Sequence, residues 1–358
     1  MNLGGMTGSG NERCTYVIRH RSGDPPACQP IAPASRSDGL ARCEATWSRR
    51  RLSTERARVV DCRSRKPADA VERYPGLSIR ARPPLLVRWG QGRARWYRIK
   101  QAMEAFGLLE GAAHFPFHSA TVAAPLREPE VWSYGVLSDY NRATITNFAA
   151  IADRELGDFD LIDCGGHLGL FSAQFATFSR HCRRITAIEP NAGPFAYLEG
   201  NIRAGRVGDV LAINAAVSDF TGHGRLVAPA YDPLSDHALY LEPDPAGPVA
   251  VIRLDALAER AGPRLAIKLD IEGHELAVLR AAAAFLRTRE RLVLCVELHR
   301  RVLDRVGQTD TGLLQAINEI RPMRWVDADH PGRTLRLDEP VWLQTGNDIQ
   351  CDVIGCDA

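Results

Sequence analysis

Between residues 159 and 191 the chain reads strand, glycine turn, helix, strand, and this unit leaves few folds open. Leu161-Ile-Asp-Cys-Gly-Gly-His-Leu-Gly169 ends an apolar run on an acid and turns through three glycines, and Ile188-Glu-Pro-Asn191 ends the next apolar run. Glycine suits a sharp turn against which a ligand must lie without a Cβ in the way. From Phe159 onward short apolar runs alternate with helical stretches. Strands are expected at Asp160–Asp163, Arg184–Glu189, Val210–Val217, Leu265–Asp270 and Leu292–Leu298. Helices are expected at Leu168–Ser179, Pro194–Ala204, Glu275–Arg287 and Asp310–Ile320. The tail is expected to add strands at Met323–Ala328, Thr334–Leu337 and Val341–Leu343. This alternation predicts an α/β fold: a Rossmann-like, doubly wound, mostly parallel seven-stranded sheet with helices on both faces. The Pro-rich stretch Gly222–Val251 interrupts it, and an insert of that length reads as a lid or binding loop.

In such a sheet ligands bind at the carboxyl ends of the strands, near the point where strand order reverses. A dinucleotide fingerprint would be G-x-G-x-x-G, with bare amides gripping a pyrophosphate. Here the order is G-G-x-x-G, and Asp163 stands ahead of it. A carboxylate there repels phosphate and attracts a cation. Glu189 closes the second strand, where an acid accepts hydrogen bonds from both ribose hydroxyls. A nucleoside with cationic groups and no phosphate meets both demands, and S-adenosylmethionine is such a molecule.

Five segments then take on a common look. Asp163-Cys-Gly-Gly-His-Leu-Gly169 with Glu189-Pro-Asn191, Ala215-Ala-Val-Ser-Asp219, Lys268-Leu-Asp-Ile-Glu-Gly-His-Glu275 and Glu297-Leu-His299 resemble the ordered motifs of FkbM-type methyltransferases. These are class I, S-adenosylmethionine-dependent enzymes that methylate hydroxyl oxygens, often on sugars or polyketide-like products. The resemblance covers about residues 119 to 345. It departs from the family at Gly166-His167, where Ala-Asn is usual, and at Ala192, where Pro is frequent. By position it implies that Asp163, Gly165, Gly166 and Gly169 meet the methionine half of the cofactor. Glu189 would meet the ribose, Asn191 would count among the cofactor-binding residues, Ala215 and Ala216 would border the adenine, and Asp270 would lie beside the transferable methyl.

Lys268, Asp270 and Glu272 stand at spacing two. If that segment stays extended they share one face, with Ile267, Leu269 and Ile271 on the other. A structural ion pair would also account for them. An alcohol is a poor nucleophile while protonated, so methyl transfer to oxygen asks for alignment and a base. Lys268, Glu272 and His299 are the candidates. Asp270, Glu272, Glu297 and His299 could instead hold Mg2+ or Mn2+. No dense acid–His run favours that, so no metal ligand is assigned.

The remaining chain is less informative. Residues 1–84 read as a basic extension too polar to offset its ordering entropy, as in Ser48-Arg-Arg-Arg-Leu-Ser53. Through Arg82 it carries sixteen basic against eight acidic residues, a net of +8, which leaves −6 for the rest of a chain at +2 overall. Residues 85–150 read as a helical and β cap or entry segment, with a helix over Arg95–Leu109, a strand over Ser119–Pro125 and a helix over Tyr140–Leu156. Residues 151–345 form the catalytic domain and 346–358 a tail. The nine cysteines make no CxxC pair, and Cys14, Cys28, Cys43 and Cys62 are too widely spaced for a zinc site. No apolar run is long enough to span a membrane and no signal-peptide core is present, which points to the cytoplasm. The expected partner is a hydroxylated small molecule or glycan. A nucleic-acid methyltransferase using the basic arm is disfavoured by the acidic catalytic part and the lack of a base-flipping motif. A non-catalytic cofactor-binding module is disfavoured by the intact acids.

Overall fold

A computed structural model describes residues 59–61, 79–91, 97–205, 208–230 and 238–358, all within the unit Thr54–Ala358. The expectation for residues 1–58 and 62–78 lies outside the described residues. The first strands are β1 (Val59–Asp61) and β2 (Ile79–Arg80). Helices α1 (Leu85–Gly90) and α2 (Tyr97–Ala105) lead into a hairpin of β3 (Ala112–Phe117) and β4 (Ala120–Pro125). Helices α3 (Pro129–Ser133) and α4 (Arg142–Leu156) lead into the main sheet.

Its parallel core is β5 (Phe159–Cys164), helix α5 (Leu170–Phe178), β6 (Cys182–Ile188), α6 (Ala192–Ile202) and β7 (Asp209–Ile213). A second, four-stranded sheet follows, made of β8 (Ala216–Ser218), β9 (Gly222–Val227), β10 (Tyr240–Pro243) and β11 (Val249–Arg253). The main sheet resumes with β12 (Arg264–Leu269), α7 (Glu275–Ala281), α8 (Ala283–Arg287), β13 (Arg291–His299), α9 (Arg300–Arg305), α10 (Asp310–Ile320) and β14 (Met323–Asp327). It ends with α11 (Val341–Thr345) and β15 (Gln350–Asp357).

The strand order is β1-β7-β6-β5-β12-β13-β15-β14. Seven strands form the expected mostly parallel sheet, though not all from the expected segments, and β1 adds an eighth, antiparallel on β7. From β7 to β13 every pairing is parallel, while β15 runs antiparallel between β13 and β14. Every residue of β5 is buried, as a strand covered by helices on both faces requires. Alternate side chains feed two cores: Ile162, Ile267 and Leu294 enter one, Leu161, Ala266 and Val293 the other. Each large side chain buried there contributes about 1.5–3 kcal/mol.

Two expectations are corrected. The last strand is β15, not Thr334–Leu337 or Val341–Leu343. Thr334 makes a single bridge to Val326, and the second segment is the helix α11, with Val341 buried and Leu343 exposed. The alternation of Val341 and Leu343 imitated a strand, whereas β15 begins on polar residues. Val210–Val217 is two strands in two sheets, broken at Asn214-Ala215. The described residues of the insert Gly222–Val251 include β9, β10 and the start of β11, and Leu226, Ala238, Leu239 and Leu241 from it reach the cavity described below. Among the described residues no helix is long and apolar enough to cross a membrane.

Candidate active site

Strand order reverses between β5 and β12, so their carboxyl ends open a crevice, and a cavity of about 1060 Å³ fills it. Ligand pockets run to roughly 300–1,000 Å³, so there is room for more than one small molecule. Its wall takes Gly165, Gly166, Glu189, Asn191, Ala215, Ala216, Lys268, Asp270, Glu272 and His299 from five strand ends. Asp163 and Gly169 are not on that wall.

The glycine turn has two separate demands. Gly165 sits at φ +85°, and a Cβ there would meet the carbonyl oxygen of Asp270 at 1.9 Å. The turn is therefore pressed against the β12 tip. Gly169, at φ +80°, lies against α6, where a Cβ would stand 2.7 Å from the Leu198 carbonyl. It serves helix packing. Gly165→Ala is expected to cost roughly 3 kcal/mol or more, from the left-handed backbone plus a clash with main chain that cannot rotate away. A thermal melt within a degree or two of wild type would contradict this close approach.

Asp163 is fully buried. It accepts from Ser172 Oγ at 2.6 Å and lies 3.5 Å from Lys268 Nζ. Lys268 Nζ donates to the Gly165 carbonyl at 2.7 Å and to Asp270 Oδ2 at 2.9 Å, with its charge 5.3 Å from the Phe171 ring centroid. Burial works against the ammonium, but Asp270 and Asp163 hold its pKa well above the ordinary lysine value. The spacing-two reading placed these groups on one face. Asp270 and Lys268 do meet, but the strand ends at Leu269, and the chain then turns through Glu272 at φ +55°.

Glu189 lies 6% exposed at the β6 end. Its two oxygens accept from the backbone N–H of His167 at 2.8 Å and of Asn191 at 2.7 Å. A carboxylate has about four lone-pair sites, so two remain for a ligand's hydroxyls. Burial pushes its pKa up to about 7. Asn191 caps α6, its Oδ1 accepting from Gly193 N–H at 3.1 Å. Ala215 and Ala216 form a side wall without bulk, both buried.

Beyond Asp270 the wall becomes acidic. Glu297 on β13 is paired in register with Asp352 on β15, and both line the cavity with Asp270 and Glu272. Asp270 and Glu297 share a hydrogen bond. Lys268 keeps the Asp270 carboxyl below its usual range despite burial, while burial and Asp270 push Glu297 well up. Burial and the charge of Asp270 raise Asp352 to about 7 and Glu272 to about 8. Glu272 Oε2 is buried without a hydrogen-bond partner. His299 Nδ1 accepts from Val302 N–H at 3.3 Å at the start of α9, and burial lowers its pKa. Neutral and with Nδ1 as acceptor, the imidazole carries its proton on Nε2.

Sequence reasoning did not place Asp352 at the site, because it assigned that residue to a tail. The metal alternative does not gain geometry. Among the described residues, the one His/Cys/Asp/Glu group whose ligand atoms lie within 4.8 Å of one another is Glu128, Glu130 and His167, not the Asp270 wall.

A doubly wound sheet, a glycine turn against the neighbouring strand tip, and a buried acid closing the next strand are the architecture of a class I methyltransferase. Residues 163–323 match the family model described as methyltransferase FkbM domain, which supports a methyltransferase of that type over that span. Among curated proteins no sequence match was found. Solved structures similar to this chain include precorrin-6y C5,15-methyltransferase from Geobacter metallireducens GS-15. That similarity has 14% identity and a TM-score of 0.31 over 62% of this chain and 89% of that one. M. jannaschii TYW2 in complex with AdoMet is 10% identical, with a TM-score of 0.35 over 68% of this chain and 84% of that one. A SAM-dependent methyltransferase from Agrobacterium tumefaciens is 8% identical, with a TM-score of 0.36 over 68% and 69%.

Proposed function

We propose that this protein transfers the methyl group of S-adenosylmethionine to a hydroxyl oxygen of a small-molecule or glycan acceptor. The observation that carries the reading is one continuous cavity, with the glycine turn and Glu189 at one end and the acidic wall beyond Asp270 at the other. The residues fit the cofactor. Glu189 has lone pairs left for ribose hydroxyls, Asn191 stands beside it, Ala215 and Ala216 leave a flat side wall, and the Asp270 carboxylate suits a neighbouring cation. When bound, S-adenosylmethionine supplies a methyl carbon whose bond to sulfur breaks as the acceptor oxygen binds it, the electron pair leaving with the sulfur.

The acceptor's proton needs a base in the chain. Lys268 does not supply one, because its ammonium has no lone pair and is held charged between two carboxylates. It positions the turn through the Gly165 carbonyl. His299 has spent its Nδ1 lone pair on Val302 N–H and is a donor to the cavity. Glu272, with one oxygen unpartnered, takes the proton. Only its ionised form can do so, and its pKa lies at about 8. Turnover is therefore expected to rise with pH through about 8 and level off above it, with that limb missing in Glu272→Gln.

Tritium transfer from labelled S-adenosylmethionine to a panel of hydroxylated acceptors, beside a calorimetric titration of the cofactor, tests the reading. Saturable binding and label on oxygen are expected. No saturable binding, or label on nitrogen or carbon, would overturn it.

A further inference from the structure

The acceptor half of the cavity has a charge pattern that chooses among hydroxylated molecules, and this step rests on the methyl-transfer reading above. Asp270, Glu272, Glu297 and Asp352 face the cavity there. Among the described residues, the lysine and arginine on the cavity wall are Lys268 and Arg142. Lys268 is consumed by Asp163, Asp270 and the Gly165 carbonyl. Arg142 is turned to Asp139 at 3.8 Å and lies 5.7 Å from the Phe178 ring centroid. Lys268 is therefore unavailable to an acceptor's anionic group, and Arg142 already faces the Asp139 carboxylate. A phosphate, sulfate or uronate would meet carboxylates with little compensating charge, so anionic acceptors are disfavoured on electrostatic grounds.

Besides the protons that mutual repulsion keeps on these carboxyls, two neutralising partners remain for the wall. A divalent metal needs ligand atoms that converge, and these carboxylates are not among the convergent groups of the described residues. An organic ammonium needs no such convergence, because its protons point to several acceptors. A neutral polyol can bond to carboxylates, but it leaves their mutual repulsion in place.

We propose that the acceptor carries a protonated amine beside the hydroxyl it offers, as in an amino sugar or amino alcohol, and that Glu297 and Asp352 receive that ammonium. The register pair Glu297–Asp352 puts carboxyls from two adjacent strands on the same stretch of wall, past Asp270 as seen from the glycine turn. Entry of an ammonium favours the ionised form of both groups and of Asp270. The protons that repulsion had kept on this wall are then released. Glu272 remains for the hydroxyl proton, so recognition and deprotonation fall to different carboxyls.

The test uses the full chain loaded with S-adenosylhomocysteine and fragment probes in the millimolar range. Saturation-transfer NMR would compare glucosamine and trans-2-aminocyclohexanol with N-acetylglucosamine, myo-inositol and glucuronate. The expected result is saturation of the two amines, at least tenfold weaker signals from the neutral probes and none from glucuronate. Calorimetry of the better amine in two buffers of different ionisation enthalpy should show proton release. Asp352→Asn should weaken amine binding about tenfold while leaving cofactor affinity unchanged. Equal or better binding of the neutral or anionic probes, no binding of either amine, or binding only on addition of Mg2+ would each overturn the proposal. Cofactor affinity separates the two readings. Its retention with no amine preference defeats this inference alone, whereas its absence defeats the methyltransferase reading beneath it.

Discussion

Replacing Glu189 with Gln is expected to weaken S-adenosylmethionine binding by roughly a hundredfold or more, about 3 kcal/mol, because the side chain does two jobs that an amide cannot combine. Its oxygens already accept from His167 N–H and Asn191 N–H. The amide keeps one acceptor oxygen and presents an NH2 group to the other backbone donor. One ribose hydroxyl loses its charged acceptor, worth about 1.5–3 kcal/mol, and the turn on the losing side must shift. The wild-type acid also makes binding depend on pH. With a pKa of about 7, it is protonated below that value and ionised above it. If the ionised form accepts both ribose hydroxyls, as proposed above, cofactor affinity should rise between about pH 6 and about pH 8. The Gln variant should lose that slope as well as affinity. Isothermal titration of both proteins across this range is the check. An unchanged Kd, or the same slope in the variant, would remove Glu189 from the cofactor site.

The parts of this site that are legible in the sequence are those whose demands fall on neighbouring residues. The glycine turn, Glu189 at the next strand tip and the Lys268–Asp270 spacing each lie within one element and its loop, so their meaning survives without coordinates. What the sequence conceals is register. Lys268 stands opposite Asp163 because β12 pairs with β5 in that alignment. That pairing draws Asp163 away from the cavity wall and makes it a partner of the lysine. Glu297 acquires Asp352 in the same way, through an antiparallel strand whose polar start gave no strand signal. The hairpin of β3 and β4 was half concealed for a different reason. Pro116 inside Ala112–Phe117 reads as a strand breaker, yet it lies exposed in the strand and its missing N–H is tolerated there. Fold class follows from alternation and is robust to such slips. Side-chain partnership between strands is not, and at this site it decides which acids touch ligand and which hold the frame.

Replacing Lys268 with Met should destabilise the protein by about 3–5 kcal/mol near neutral pH, since it leaves buried carboxylates without their counter-ion while filling nearly the same space. The pH dependence separates charge from packing. In the wild type the lysine opposes the effect of burial on Asp163 and holds Asp270 below its usual range. Without the lysine both acids have folded-state pKa values raised above their unfolded ones. A raised acid costs stability above its folded pKa, and that cost fades as pH falls through it. Meanwhile the stabilisation that wild-type Asp270 provides, present above the unfolded pKa, is lost as pH falls towards its depressed value. Both effects narrow the gap between the two proteins on acidification. Denaturant titrations over a pH series would show the convergence, whereas a gap independent of pH would mean that only packing had been lost. Adding Asp163→Asn to Lys268→Met should restore part of the stability, because it removes a charge that the single variant strands. Cofactor affinity should not return with it. The Gly165 carbonyl has still lost the donor that ties the glycine turn to the tip of β12, so the double variant separates holding the fold together from holding the turn in place for its ligand.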